Sequence, residues 1–443
     1  MSAAAPSAVR ALVMLTAMAA AFAGRADEPP TLPDALPPLD DTLVPAAPVQ
    51  FFAQMRVRGD VDDDRTFARA SGVVVGTSIT GRVGVEGALP GLDGASLVVI
   101  AGDGGRVGQP GGAPALVAPA ALTFLYQAEL ALPFSIAGVP AALDVGRMPV
   151  VIADGRLVGD EPFDERGRTL DGFRVRAHPA ITDVSVGAFW LDSNNLAAPI
   201  SGVIVVDAAI RPSDALDLDA YGFVHRDGLE ALTIPTAGAR VDAALWSWLR
   251  LHGGADVQAP LRDGSTAFAS AGRSGHAEIG GRASGAVLAD APSLFVDAGG
   301  EVTAGDAVLG RVFRAPAPTQ HDALGLLDLV ARDNTWATRL SLGAVDTRGL
   351  SLAVTGSLVG IVDAGGPLVD TSFAPLIGRR AGVGGVALYE VDGALDLPLG
   401  KGVGLAVGYG LAVPGRALAN EVPAQRLLVS LHGSIGEAAQ PAL

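Results

Sequence analysis

Between Gly146 and Ala177 the chain places six arginines and six acidic residues in one short stretch. Arginine carries a planar fork that is always ionised and grips carboxylates through two parallel hydrogen bonds. Such a cluster either binds anionic groups of a solute or pairs with the neighbouring acids and braces a wall. Arg174 and Arg176 alternate with Phe173, Val175 and Ala177, so a strand would set both cations on one face. Arg56 and Arg58 alternate in the same way with Phe51, Ala53, Met55 and Val57.

Other residue patterns point away from catalysis. The chain has no cysteine, which removes disulfides, thiolate metal sites and cysteine nucleophiles. Its six histidines, at positions 178, 225, 252, 276, 321 and 432, form no HExxH or comparable metal spacing. No G-x-S-x-G elbow occurs. The run Asp60–Arg65 has carboxylates at the first, third and fifth positions of a calcium loop, but Arg65 stands where glycine is needed and Ser71 where a closing glutamate is needed, so it reads as an acidic turn. The glycine-rich stretch Gly102–Gly112 lacks Gly-Lys-Ser/Thr and reads as a loop, not a phosphate cradle. No enzyme activity, cofactor or metal is expected.

The elements that must carry these charges are strands. In "ALDLDAYGFVHRD", Leu216, Leu218, Ala220 and Val224 alternate with Asp217, Asp219, Tyr221 and His225. In "ARVDAALWSWLRLHGG", Val241, Ala243, Leu245, Leu249 and Leu251 alternate with Arg240, Asp242, Arg250 and His252. Arg339, Ser341, Arg426, Ser430 and His432 take the polar parity of later runs, and "LTFLYQAELALPF" sets Leu122, Phe124, Tyr126, Ala128, Leu130 and Leu132 against Thr123, Gln127 and Glu129. Runs of this kind, separated by turn-rich clusters, number about 16 to 18. With 443 residues, 49% hydrophobic content, a mean hydropathy of +0.39 and no apolar run of helical-span length after the N-terminus, the expected fold is all-β: a transmembrane antiparallel β-barrel around an aqueous lumen. A secreted soluble β protein alternates too, and parity alone does not separate the two.

Arg10, the apolar stretch Ala11–Ala21 and "AFA" at 21–23 describe a signal peptide over residues 1–23. Residues 24–49 are rich in proline and acid and read as a periplasmic segment, leaving residues 50–443 as one barrel domain. Aromatic residues make up 5% of the chain, thin for two membrane girdles, and the C-terminal "GEAAQPAL" has no final aromatic. Either this tail runs past a last strand ending near Ile435, or insertion uses another signal.

Gly146-Arg147, then "ADGRLVGD" at 153–160, then "RGRTLDGFRV" at 166–175 resemble the signature of the alginate-export family of outer-membrane β-barrels. Weaker echoes lie in "LTFLYQAELALPF", "APTQHDALGLLDLV" and "VGYGLAVPG". The resemblance implies a monomeric barrel in the outer membrane of a Gram-negative bacterium, in contact with lipid. It implies export of an anionic polysaccharide such as alginate, with periplasmic export partners and no nucleic acid. Matched by motif position, Arg147, Arg156, Arg168, Asp171 and Arg174 would line the lumen; Arg176 joins them by parity. The alternatives are a general porin without polymer specificity, a barrel-scaffolded outer-membrane enzyme, or the soluble β protein.

Overall fold

The structure, a computed structural model, describes residues 49–63, 73–89, 91–107, 122–153, 155–159, 168–190, 200–227, 232–259, 261–262, 274–286, 292–305, 326–327, 329–331, 334–366, 368–369, 376, 378–400, 402–419 and 422–435. The expected signal peptide, residues 24–48 of the Pro-rich segment, His321 with most of its hairpin, and Arg65 and Ser71 lie outside the described residues; Asp60–Asp63, expected in an acidic turn, instead end a strand paired on both sides.

Alternating sequence becomes strand throughout. The described strands are β1 (Gln50–Asp63), β2 (Val73–Ala88), β3 (Ser96–Val107), β4 (Leu122–Ile136), β5 (Val139–Met148), β6 (Leu170–Ala177), β7 (Thr182–Trp190), β8 (Ile200–Ser213), β9 (Leu216–Asp227) and β10 (Leu232–Trp246). They continue with β11 (Leu249–Gln258), β12 (Leu261–Arg262), β13 (Ser274–Ala286), β14 (Ser293–Ala304), β15 (Thr335–Val345), β16 (Ser351–Ile361), β17 (Gly385–Gly400), β18 (Val403–Pro414) and β19 (Ala424–Ile435). Apart from the short β12, each pairs antiparallel with the strands before and after it, and β19 pairs with β1, which closes the sheet. β11 and the two-residue β12 both pair with β10, so they are two pieces of one stave, and the barrel has eighteen staves. An all-β, closed antiparallel barrel is thus what the expected fold class described.

Connections alternate in length. Starting at β2–β3, every second one spans two to seven residues; the others span four to thirty, and both β1 and β19 have their outer ends at the short-turn rim. Short turns on one rim and long loops on the other are the ordinary asymmetry of outer-membrane barrels.

Burial is inverted relative to a water-soluble fold. Ile279 is 74% exposed, and Val83, Ile204, Val257, Leu340 and Leu342 are exposed too, all on the outward parity. Arg58, Asp60, Asp144, His225, His276, Glu390 and Arg426 are buried on the inward parity. An arginine turned into lipid costs about 2 to 4 kcal/mol at the bilayer midplane, whereas an apolar wall left in water would form a patch far larger than soluble proteins tolerate. The outer wall is therefore a lipid-facing wall, and the soluble alternative is set aside. Exposed aromatics sit at both rims: Phe51, Phe134 and the stacked pair Trp246–Trp248, 5.4 Å apart, at the short-turn rim, and Trp190 and Tyr389 at the long-loop rim. Few aromatics suffice because they are concentrated where lipid meets water.

One strand departs from simple alternation. The β3–β4 register shifts between Ile100 and Ala101, leaving Tyr126 as an extra residue. Tyr126 is buried inside beneath the Arg82 guanidinium, 3.8 Å from its ring centroid, and Phe124 lies inside against Gly102. Past the bulge, Gln127 and Glu129 face inward. The expected single apolar face through Phe124 and Tyr126 is corrected accordingly: a bulge flips parity, so the strand presents rings inside and then the polar Gln127 and Glu129 inside.

Candidate functional site

The connection between β5 and β6 folds into the lumen. Ile152 N donates to Val158 O at 2.9 Å and Arg156 N to Ala153 O at 3.0 Å, forming a tight hairpin with left-handed φ at Ala153 (53°) and Gly155 (79°). Gly155 adopts that φ without penalty, and Ala153 is held in it by the packing of its neighbours. Val150, Ile152, Leu157 and Val158 are buried with Met148 and Leu170 against Phe189 of β7, Val203 and Val205 of β8, and Tyr221 and Phe223 of β9. Apolar residues on the inner wall thus have a use: they receive the hairpin's apolar side. Its opposite side carries Arg156, which ion-pairs with Glu278 on β13, six staves round the wall from β6. The hairpin therefore crosses a chord of the lumen, packed at one end and tethered by charge at the other.

The expected lumenal residues separate into three groups. Arg174 and Arg176 face inward and grip one carboxylate: Arg174 Nε donates to Asp144 Oδ2 at 3.0 Å, and Arg176 Nε and Nη2 donate to Asp144 Oδ2 and Oδ1 at 2.6 and 2.7 Å. Asp144 is 0% exposed, while both arginines keep part of their surface open to the lumen. Arg156 and Arg168 belong to the inward connection, and Arg168 Nη1 donates to Gly159 O at 3.2 Å, bracing its return limb. Arg147 and Asp171 pair with each other, Nε to Oδ1 at 2.7 Å and Nη2 to Oδ2 at 2.6 Å.

That last pair lies on the outward parity, not the lumenal one expected. Across β5–β6, Asp144 faces Arg174 and Met148 faces Leu170 on the inside, while Val145 faces Phe173 and Arg147 faces Asp171 on the outside; Asp171 in turn faces the exposed Trp190 of β7. Unbroken alternation is the cause: Asp144, Gly146 and Met148 take the inward positions of one continuous register, so Arg147 falls outward with Val145, beside Gly146 at a φ of 128°. Only glycine fits there, because an added Cβ would lie 2.0 Å from Ala128 O. Its cross-strand partner Gly172 makes equal room, under the Phe189 ring. Placed at the long-loop rim beside an interfacial tryptophan, an internally satisfied ion pair is tolerated where an isolated arginine would not be.

A second segment enters from the β14–β15 connection. Leu326 N and Leu327 N donate to Asp392 Oδ2 at 3.3 Å and Glu390 Oε1 at 3.0 Å, and Arg426 Nη1 donates to Leu326 O at 3.2 Å. Leu327, Leu329 and Val330 are buried there with Val359, Leu368, Leu376 and Leu388. Near the short-turn rim the inner wall carries a relay of ion pairs, His178–Asp183–Arg211–Asp217–Arg250–Asp242. Farther round, Arg282 stacks on Phe295 at 4.1 Å and Arg339 lies 3.9 Å from Asp297. The lumen thus displays cations and carboxylates side by side, a lining that can exchange hydrogen bonds with a polar solute step by step. Asp144, Glu278 and the apolar inner patch were missed in the sequence; inward parity marks the two acids, but nothing local marks Phe189 or Val203 as inward.

Sequence comparison finds no matching protein family and no matching curated protein. The fold, however, aligns with solved outer-membrane barrels. The outer membrane protein OprD of Pseudomonas aeruginosa superposes with a TM-score of 0.58 at 11% identity, covering 88% of this chain and 94% of that one. OccAB1 of Acinetobacter baumannii gives 0.60 at 11%, covering 88% and 97%. OpdK of Pseudomonas aeruginosa, solved with vanillate, gives 0.60 at 13%, covering 88% and 99%. These likenesses establish the fold of an outer-membrane barrel, in keeping with the expected outer-membrane location. They overturn the resemblance to the alginate-export family, which no family match supports. The shared motif pieces have a local cause here: Gly146 and Gly172 relieve close strand approach, and Arg147 and Arg168 satisfy a neighbouring carboxylate and carbonyl. Any arginine-braced hairpin at a barrel rim can produce such a pattern.

Proposed function

We propose that the protein is a passive outer-membrane channel for small hydrophilic solutes, narrowed by the β5–β6 hairpin. The observation that carries this reading is the hairpin itself, packed on β7–β9 and tied by Arg156 to Glu278 on β13. A closed barrel of eighteen staves encloses water, and an inward segment limits what passes by size and charge. Arg156, Arg174 and Arg176 would line the solute path, with Glu129 and Asp144 as their acidic partners. Arginine forks favour solutes carrying a carboxylate, and the solution of OpdK with vanillate fits a small solute of this kind. Adjacent acids moderate the attraction, so a bound carboxylate is released as readily as it is held. The purified barrel is expected to give stable single-channel current in planar bilayers, reduced by millimolar small carboxylates added on one side. A detergent-folded protein that gives no channels would overturn this function.

A further inference from the structure

Glu278 of β13 and Glu301 of β14 stand directly opposite each other on the inward parity. Like charges so placed repel, and carboxylates withdrawn from water are costly without a cation close by. One inward position before Glu278 lies His276. A ring nitrogen of His276 and one oxygen from each glutamate lie within 4.8 Å of one another. The histidine is already oriented: Nδ1 is 2.9 Å from Asp256 Oδ2, and Asp256 accepts a further hydrogen bond from the Tyr221 hydroxyl. Nε2 is thereby turned toward Glu301, 3.7 Å from Oε2. A carboxylate holding the far nitrogen of the ring is the usual outer support of a metal-binding histidine. His276, Asp256 and Tyr221 are all buried, so this support is rigid.

We propose that His276, Glu278 and Glu301 bind a divalent transition cation of the zinc type on the lumen wall, in competition with Arg156 for Glu278. One nitrogen and two oxygen donors with a remaining position for water suit zinc, whereas calcium and magnesium favour all-oxygen shells. At zinc–ligand lengths of about 2.0 to 2.2 Å, tetrahedral donor atoms lie about 3.4 Å apart, so side-chain rotations of about an ångström close the set. The metal supplies the cation that the opposed glutamates require. Arg156 supplies one now, through its pair with Glu278. A divalent cation on Glu278 repels the neighbouring guanidinium, so metal binding weakens the charged tether of the hairpin while its apolar side stays docked on β7–β9.

The test is direct titration of the full chain, folded in detergent, with Zn2+ by calorimetry and with Co2+ by visible absorption, which reads nitrogen and oxygen ligation. One saturable zinc site is expected. E301Q and H276N are expected to abolish it, D256N to weaken it about 10- to 100-fold through loss of the outer support, and R156A to tighten it about tenfold by removing the competitor. Heat-modifiable gel migration reports whether each variant still forms a barrel. R156A alters a loop residue and E301Q keeps side-chain shape, so these two decide if D256N fails to fold. Absence of saturable binding in both wild type and R156A, binding unchanged in folded E301Q, or R156A no tighter than wild type would each overturn the proposal. Binding is read without conduction, so it stands or falls apart from the channel reading.

Discussion

Truncating Leu157 tests whether the hairpin is a docked element with its own equilibrium. Leu157 is 1% exposed and packs with Ile152 and Val158 on the inner-wall residues Phe189, Val203 and Phe223. Each of the four apolar hairpin residues contributes about 1.5 to 3 kcal/mol when buried, and Leu157→Ala forfeits about 2 to 5 kcal/mol including the cavity it leaves. The strands of the wall are paired without help from the hairpin, so the loss falls on docking and not on the barrel. A loss of about 3 kcal/mol multiplies the undocked fraction about a hundredfold. In single-channel recordings this is expected as a second, larger current level with rapid transitions, absent from wild type. Leu157→Met, which conserves volume, should restore the single level, since such exchanges usually cost under about 1.5 kcal/mol. If Leu157→Ala and wild type give indistinguishable traces in a folded barrel, the hairpin does not restrict the lumen.

Asp144→Asn should lower barrel stability by about 3 kcal/mol, because it leaves Arg174 and Arg176 without the carboxylate both grip; urea unfolding followed by tryptophan fluorescence measures it, and coincident midpoints would refute it. Arg174→Ala should shift the reversal potential in a salt gradient toward cation preference, while Arg147→Ala, altered on the outward parity, should leave it within error of wild type. Equal shifts from both would place Arg147 in the lumen after all.

Much of the barrel is legible in the sequence because lipid and lumen impose opposite chemistry on alternate residues. Leu340 and Leu342 outside against Arg339 and Ser341 inside, or Leu218 and Val224 outside against Tyr221 and His225 inside, follow from alternation alone. What escapes is whatever shifts the count. Tyr126 is an extra residue in β4 that leaves the composition unchanged, yet it moves the side chains beyond it to the other parity. The hairpin escapes for a different reason. Ile152, Leu157 and Val158 read as strand residues, and their partners Phe189 and Val205 are distant in sequence, so nothing local shows that an apolar patch on the inner wall awaits them. The charged motif misled at the level of family because glycine relief and arginine bracing are requirements of geometry, met again wherever rim strands crowd together.

The pairing of β1 with β19 also dictates how the molecule must assemble. Successive strands meet their neighbours across short stretches of chain, but Asp63 meets Gln425 about 360 positions away. Until that last partner arrives, the sheet is an open curl with two raw edges, each a row of backbone donors and acceptors that hydrocarbon cannot satisfy and that another chain could capture. Hairpins can form one after another as the polypeptide is delivered, yet none completes an insulated wall. Closure is therefore a single late event at one seam, and it is the step at which a nascent chain most needs its edges shielded.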